Sequence, residues 1–135
     1  MRYRVTNLTR NTLLAVRALR AATFASRFKG LMGVASLPVG EGLHIEPCTG
    51  IHTFFMRLPI DAIFLDASLQ IVEVCHAMAP WRMSRIYPNA RSVLEIPAGV
   101  SLASRTVPGD RLAFELAAVE ANENPPLPAP GQLAD

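Results

Sequence analysis

Four side chains of this 135-residue sequence can move protons at a shared site: His52, Asp61, His76 and Glu95. A carboxylate beside an imidazole is a general acid or base in many enzymes, because surroundings can tune either group towards neutral pH. Asp61 lies in IHTFFMRLPIDAIFLD, residues 51–66, where His52, Arg57 and Asp61 interrupt a run that is otherwise apolar. If Arg57 and Leu58 connect two strands, His52 faces Ile63 and is the diagonal neighbour of Asp61 on one sheet face. If Ala67 and Ser68 connect the next hairpin, His76 approaches Asp61 from the other side, and one carboxylate sits between two imidazoles. A one-residue slip in either hairpin sends that histidine to the opposite face. The competing reading makes Asp61 structural, an acceptor for backbone amides with both histidines exposed. On either reading its carboxylate is buried, since Ile60, Ala62, Ile63, Phe64 and Leu65 make the strand apolar on both faces, as at the centre of a sheet.

Two sharper motifs carry less. His44, Cys48 and His52 have the spacing H-x3-C-x3-H. Four extended residues span ~13 Å, so the three reach one ion only if Pro47 and Gly50 fold the chain back. No metal site and no cofactor is assigned. GVSLA, residues 99–103, misses the G-x-S-x-G nucleophile pattern at Ala103, and no histidine follows His76, so Ser101 reads as an ordinary helix residue.

A recognition surface is the other kind of site available. Trp81, Arg82, Arg85 and Tyr87 crowd into APWRMSRIYPNARS, residues 79–92, an irregular stretch whose aromatic and guanidinium groups suit a small molecule or peptide, with Arg57 as a further contact. Residues 1–40 hold seven basic side chains and no acid, although the whole chain carries only +2. Such a face attracts polyanions, but no aromatic pattern interleaves the arginines, so nucleic acid is not the expected partner.

The length corresponds to one domain with one core. No apolar run approaches the ~18 residues of a membrane helix, and the apolar run LLAV near the N-terminus is too short for a secretory signal. The expected location is the cytoplasm, where Cys48 and Cys75 serve as small buried hydrophobes. The sequence specifies no oligomeric state.

The elements that must hold these side chains follow from periodicity and turn residues. TLLAVRALRA reads as a first strand, FASRFKGLM as a short helix after the cap Thr23, and LHIEP as a strand. IHTFFM, PIDAIFLD and QIVEVCHAM read as a meander, VLEIP as a strand, AGVSLASRT as a short helix and RLAFELAAV as a closing strand. Residues 1–121 form the expected globular domain, and the proline-rich residues 122–135 an expected disordered tail.

The ordered landmarks SRFKGLMG, IHTFFMRLPIDAIFLD, SVLEIPAG and PGD resemble the bacterial and archaeal family known as domain of unknown function 192, over about Val16 to Phe114. The resemblance implies a compact, mainly β fold with a short helix after the first strand, and it implies no reaction. That family usually carries Trp and a Lys-Asn pair where this chain has Phe55 and Arg57-Leu58. The expected fold is therefore α+β, mainly β: a twisted or barrel-like antiparallel sheet with one or two short helices. The expected function is a non-catalytic small-molecule or peptide binding module. The alternatives are an acid-base enzyme built on His52, Asp61 and His76 with Glu95, and polyanion binding by the basic N-terminal third.

Overall fold

The β-branched and aromatic runs pair into a single seven-stranded sheet. The computed structural model describes residues 2–23 and 30–117. Its strands are β1 (Arg2–Asn7), β2 (Thr12–Ala21), β3 (Glu41–Ile45), β4 (Ile60–Leu65), β5 (Ile71–Met78), β6 (Ser92–Pro97) and β7 (Leu112–Leu116), with one short helix, α1 (Val100–Ala103), before β7. The spatial order is β5-β4-β6-β3-β2-β1-β7. Neighbours run antiparallel except β2 and β3, which are parallel. The sheet curls until its edges approach at one end, where Gln70 bridges Arg111 and the Leu112 amide donates to Leu69 O at 2.9 Å. The result is a curled half-barrel.

Period-two alternation splits the apolar side chains between two clusters. Val5, Leu14, Ala18, Ile63, Leu65, Leu94, Ile96 and Leu112 pack on one face. Ile60, Ala62, Phe64, Val93 and Ile45 pack on the other, beneath Leu31, Met56 and Ala90 from the connecting segments. Every residue of β4 and β6 is consequently buried. β4 is the central two-sided strand that PIDAIFLD foretells, β6 joins it as a second, and each large apolar side chain removed from water contributes about 1.5–3 kcal/mol.

Residues 98–110 close one end of the half-barrel through a seam of buried polar groups. The Ser104 hydroxyl lies 2.7 Å from Thr106 Oγ1, which accepts from Asn7 Nδ2 at 3.0 Å. The same Asn7 amide donates to Asp110 Oδ2, which also accepts from Arg10 Nε and from the Val107 amide. Burial alone would raise the Asp110 pKa, but the hydrogen bonds from Asn7, Arg10 and Val107 prevail and lower it. A lowered folded-state pKa contributes stability above the unfolded-state value and loses it as pH falls through the folded-state value. Asp110→Ala is expected to cost about 1–3 kcal/mol in urea melts at neutral pH, with the gap to the parent closing in acid. A gap that stays constant down to strongly acidic pH would contradict this.

Two elements differ from the sequence reading. RYRVTN forms β1, ahead of the strand expected first; its arginines hide an alternation in which Val5 and Asn7 face inward. IHTFFM forms no strand, and of the three runs read as a meander the last two make the β4–β5 hairpin. The helix expected over residues 24–32 falls mostly on residues outside those described, as does the proline-rich tail. Among the described residues no helix is long and apolar enough to cross a membrane.

Candidate functional site

Asp61 is fully buried and its carboxylate is saturated. Oδ1 accepts from the Ala77 amide at 2.7 Å, and Oδ2 accepts from the amides of Gly99 and Ser101 at 3.0 and 2.9 Å and from the Ser101 hydroxyl at 2.5 Å. Two backbone irregularities aim those amides. The β4–β5 register shifts between Ile60 and Ala62, with Ala77 at φ 48°, so the Ala77 amide turns out of the ladder towards Asp61. Gly99, at φ 99°, starts α1 in a conformation that only glycine adopts cheaply. Asp61 therefore caps α1 from a distant strand and ties it to β4 and β5.

His76 reaches this network through Ser101, with Nδ1 at 2.8 Å from the hydroxyl oxygen. That hydroxyl gives its single proton to Asp61, so it accepts from His76 Nδ1–H. Ser, His and Asp are thus in line, but the serine is fully buried and its proton points at the carboxylate. It acts as a strut, not a nucleophile, and it is more than the ordinary helix residue that GVSLA suggested. Its partnership with Asp61 had no sequence signal, being 40 residues distant.

His52 lies elsewhere. Thr53, fully buried, folds the run it sits in: its hydroxyl donates to Ala79 O at 2.6 Å and accepts from the Arg82 amide at 2.8 Å, while its carbonyl accepts from Met56 and Trp81. The chain therefore turns at residues 53–56 instead of extending to face β4. His52 bridges Met83 rather than facing Ile63, and residues 49–53 pair with 82–87 as an irregular ribbon. Thr53, the pin of this ribbon, was not singled out in the sequence.

The ribbon displays a row of rings. His52 stacks on Phe54 with centroids 4.9 Å apart, and Trp81 lies 5.8 Å from Phe54 and 4.8 Å from Phe55. Phe55 and Trp81 are 62% and 54% exposed, and both adopt positive φ, at 65° and 64°. Such dihedrals are costly for bulky residues and concentrate at functional sites. Arg57, Arg82 and Arg85 are exposed on the same stretches. Tyr87 is turned inward instead, its ring 4.7 Å from Phe64 and its hydroxyl 3.9 Å from Cys75 Sγ, so it belongs to the core side of the ribbon and not to the rim with Trp81.

Beneath the ribbon is a cavity of about 140 Å³, with Leu31, Ile45, Cys48, His52, Met56 and Glu95 among its walls. Glu95 sits in mid-β6 opposite Ala62 and Leu43, so alternation places it on the face of the second apolar cluster. It is 3% exposed, and among the described residues Glu95 Oε1 and His44 Nε2 are the buried side-chain atoms without a hydrogen-bond partner. Burial pushes the Glu95 pKa up to about 8, so the acid is mostly neutral at pH 7. His44 is across the sheet: its ring lies 4.4 Å from Phe114, and burial holds its pKa below the usual histidine value. The sheet thus separates His44 from Cys48 and His52. Among the described residues no three His, Cys, Asp or Glu side chains are placed to hold a metal ion. Glu95 is likewise on the opposite face from Asp61 and the Ser101 strut, so the four acid-base candidates form two separate groups.

A second hollow, of about 400 Å³, is lined by Arg2, Arg17, Arg20 and Glu41 over Leu19 and Leu43. Arg20 already pairs with Glu46 at 2.9 Å. Of the basic N-terminal third, Arg2, Arg17 and Arg20 meet here, while Arg10 pairs with Asp110.

The chain is similar to solved structures from two bacteria. A protein of unknown function from Novosphingobium aromaticivorans superposes with a TM-score of 0.73 at 23% identity, covering 84% of each chain. A Sinorhizobium meliloti chain gives 0.71 at 21%, covering 84% of this chain and 92% of that one. These likenesses show the half-barrel fold. In sequence, the UPF0127 protein of Thermococcus sibiricus is 32% identical over 114 residues, 82% of this chain and 73% of its own. That of Pyrococcus furiosus is 29% identical over 115 residues, 80% of this chain and 95% of its own. Residues 5–114, from β1 through most of β7, match the family profile DUF192, Uncharacterized ACR, and the chain belongs to that family.

Proposed function

We propose that this protein is a non-catalytic binding module that takes a small molecule into the cavity beneath the ribbon. The observation that carries the reading is Glu95: a buried carboxyl with an unpartnered oxygen, among the walls of an otherwise mostly apolar hollow. An orphaned buried acceptor costs about 1–3 kcal/mol, and a site that supplies its partner only on binding explains why the chain bears that cost. The exposed rings of Phe55 and Trp81 at positive φ support the same reading, as strained surface groups, Phe55 next in the chain to the lining residue Met56 and the Trp81 amide hydrogen-bonded to the Thr53 carbonyl. Asp61, by contrast, has every donor it needs within the protein, which favours a structural role over acid-base catalysis with His76.

The test is a single-ring fragment screen followed by methyl NMR. Binders should shift the Met56 and Ile45 methyl signals and leave those of Leu14 and Leu112, in the other cluster, unmoved. At a hundredfold excess over Kd a binder should add about 2.7 kcal/mol of stability. A screen of several hundred rings giving no shift at Met56 or Ile45 would end the proposal.

A further inference from the structure

We infer that the ligand group read by Glu95 is uncharged, an amide or lactam edge presenting a donor beside an acceptor on a single ring. The inference rests on the cavity reading above and names its ligand class. Size comes first. About 140 Å³ is close to the apolar cavity of about 150 Å³ that holds one benzene, so the enclosed part of the ligand is one ring.

Polarity comes from what the walls offer. A neutral carboxyl shows an O–H donor and a C=O acceptor on one planar edge, and a cis amide edge matches both with two parallel hydrogen bonds. A carboxylate ligand finds no lysine or arginine among the described lining residues, where the titratable groups besides Glu95 are Cys48 and His52, the latter with Nδ1 already accepting from the Phe54 amide at 3.2 Å. An ammonium ligand would ionise Glu95 and then bury three N–H groups against one carboxylate in walls of Leu31, Ile45 and Met56. The Gly50 carbonyl, a further acceptor nearby, already takes the Cys48 thiol at 3.1 Å. The uncharged edge alone leaves nothing charged and unpaired in the cavity.

Benzamide and benzamidinium, near-identical in shape and different in charge, decide the matter, with toluene as the apolar control. Affinities are measured by methyl NMR titration on the full chain. Benzamide should bind more tightly than benzamidinium at pH 7 and weaken about tenfold by about pH 9, as a carboxyl with pKa about 8 ionises. Glu95→Gln presents the same paired edge at every pH and should flatten that profile. Glu95→Leu should lose benzamide by tenfold or more while still admitting toluene, which shows that the cavity survives. If Glu95→Leu does not fold, the Glu95→Gln profile still decides. Tighter binding of benzamidinium, or benzamide binding indifferent to pH and to both variants, overturns the inference and leaves the cavity reading standing. Failure of all three rings to shift Met56 and Ile45 overturns the cavity reading itself.

Discussion

Glu95→Gln is expected to make the protein more stable at about pH 8, by a few kcal/mol, and to abolish a fall in parental stability that begins near pH 5. The sign follows from where the proton sits. In the folded state burial raises the Glu95 pKa from 4.5 to about 8, whereas in the unfolded chain the carboxyl ionises at its ordinary value. Between those two values the folded state holds a proton that the unfolded state has released. Stability therefore declines as pH rises through the window, with about 5 kcal/mol as the ceiling and less once the chain relaxes around the charge. Gln has no proton to lose, keeps the shape and still offers a donor and an acceptor. Urea melts of both proteins at intervals from about pH 5 to about pH 9 measure the difference. A parental profile flat across the window, or a Glu95→Gln protein weaker than the parent at the alkaline end, would show that Glu95 is hydrated or paired in solution.

The sequence foretold the frame better than the furniture. Two-sided burial of β4 was legible because Ile60, Ala62, Ile63, Phe64 and Leu65 leave no face for water, and from that alone Asp61 had to be an interior carboxyl group; the burial of Glu95 in β6 was not read from VLEIP. What each carboxyl meets was not legible. Asp61 is saturated by amides that a bulge at Ala77 and a left-handed Gly99 turn towards it; glycine at 99 permits its dihedral without announcing it, and nothing in the residue type of Ala77 signals the bulge. Asp61 and Glu95 lie on opposite faces, which alternation gives once β4 and β6 are known to be neighbours. That pairing joins segments separated by the whole of residues 66–91. His52 was misplaced for a local reason. IHTFFM has strand composition, but the Thr53 hydroxyl donates to Ala79 O and, with the Thr53 carbonyl, accepts from the amides of Met56, Trp81 and Arg82, four hydrogen bonds that favour a turn. Of the aromatic residues in 81–87, Trp81 is exposed, while Tyr87 packs on the Phe64 ring beneath it.

Asp61→Ala should be the most destabilising single change on the other face of the sheet. The half-buried amide contacts of Ala77 and Gly99 and the buried amide and hydroxyl of Ser101 lose their acceptor together, and the first turn of α1 loses its cap. Each orphaned buried donor costs about 1–3 kcal/mol, but the loop carrying Gly99 and Ser101 can relax towards water, so the total expected is about 3–5 kcal/mol. Asp61→Asn keeps the volume but points an NH2 group at donors, and should recover only part of that loss. Double-mutant cycles separate the partners. Asp61→Ala with Ser101→Ala should be strongly non-additive, because the two share a hydrogen bond and a helix terminus. Asp61→Ala with His76→Gln should couple more weakly, since His76 acts only through the Ser101 hydroxyl. Asp61→Ala with His52→Gln should be additive within about 0.5 kcal/mol, because His52 is held by Phe54 and Met83 on the ribbon. Coupling between Asp61 and His52 in urea melts, or a loss below about 1 kcal/mol for Asp61→Ala, would mean that the carboxylate is not the fastening of α1 and that the proton-transfer reading of this face has to be reopened.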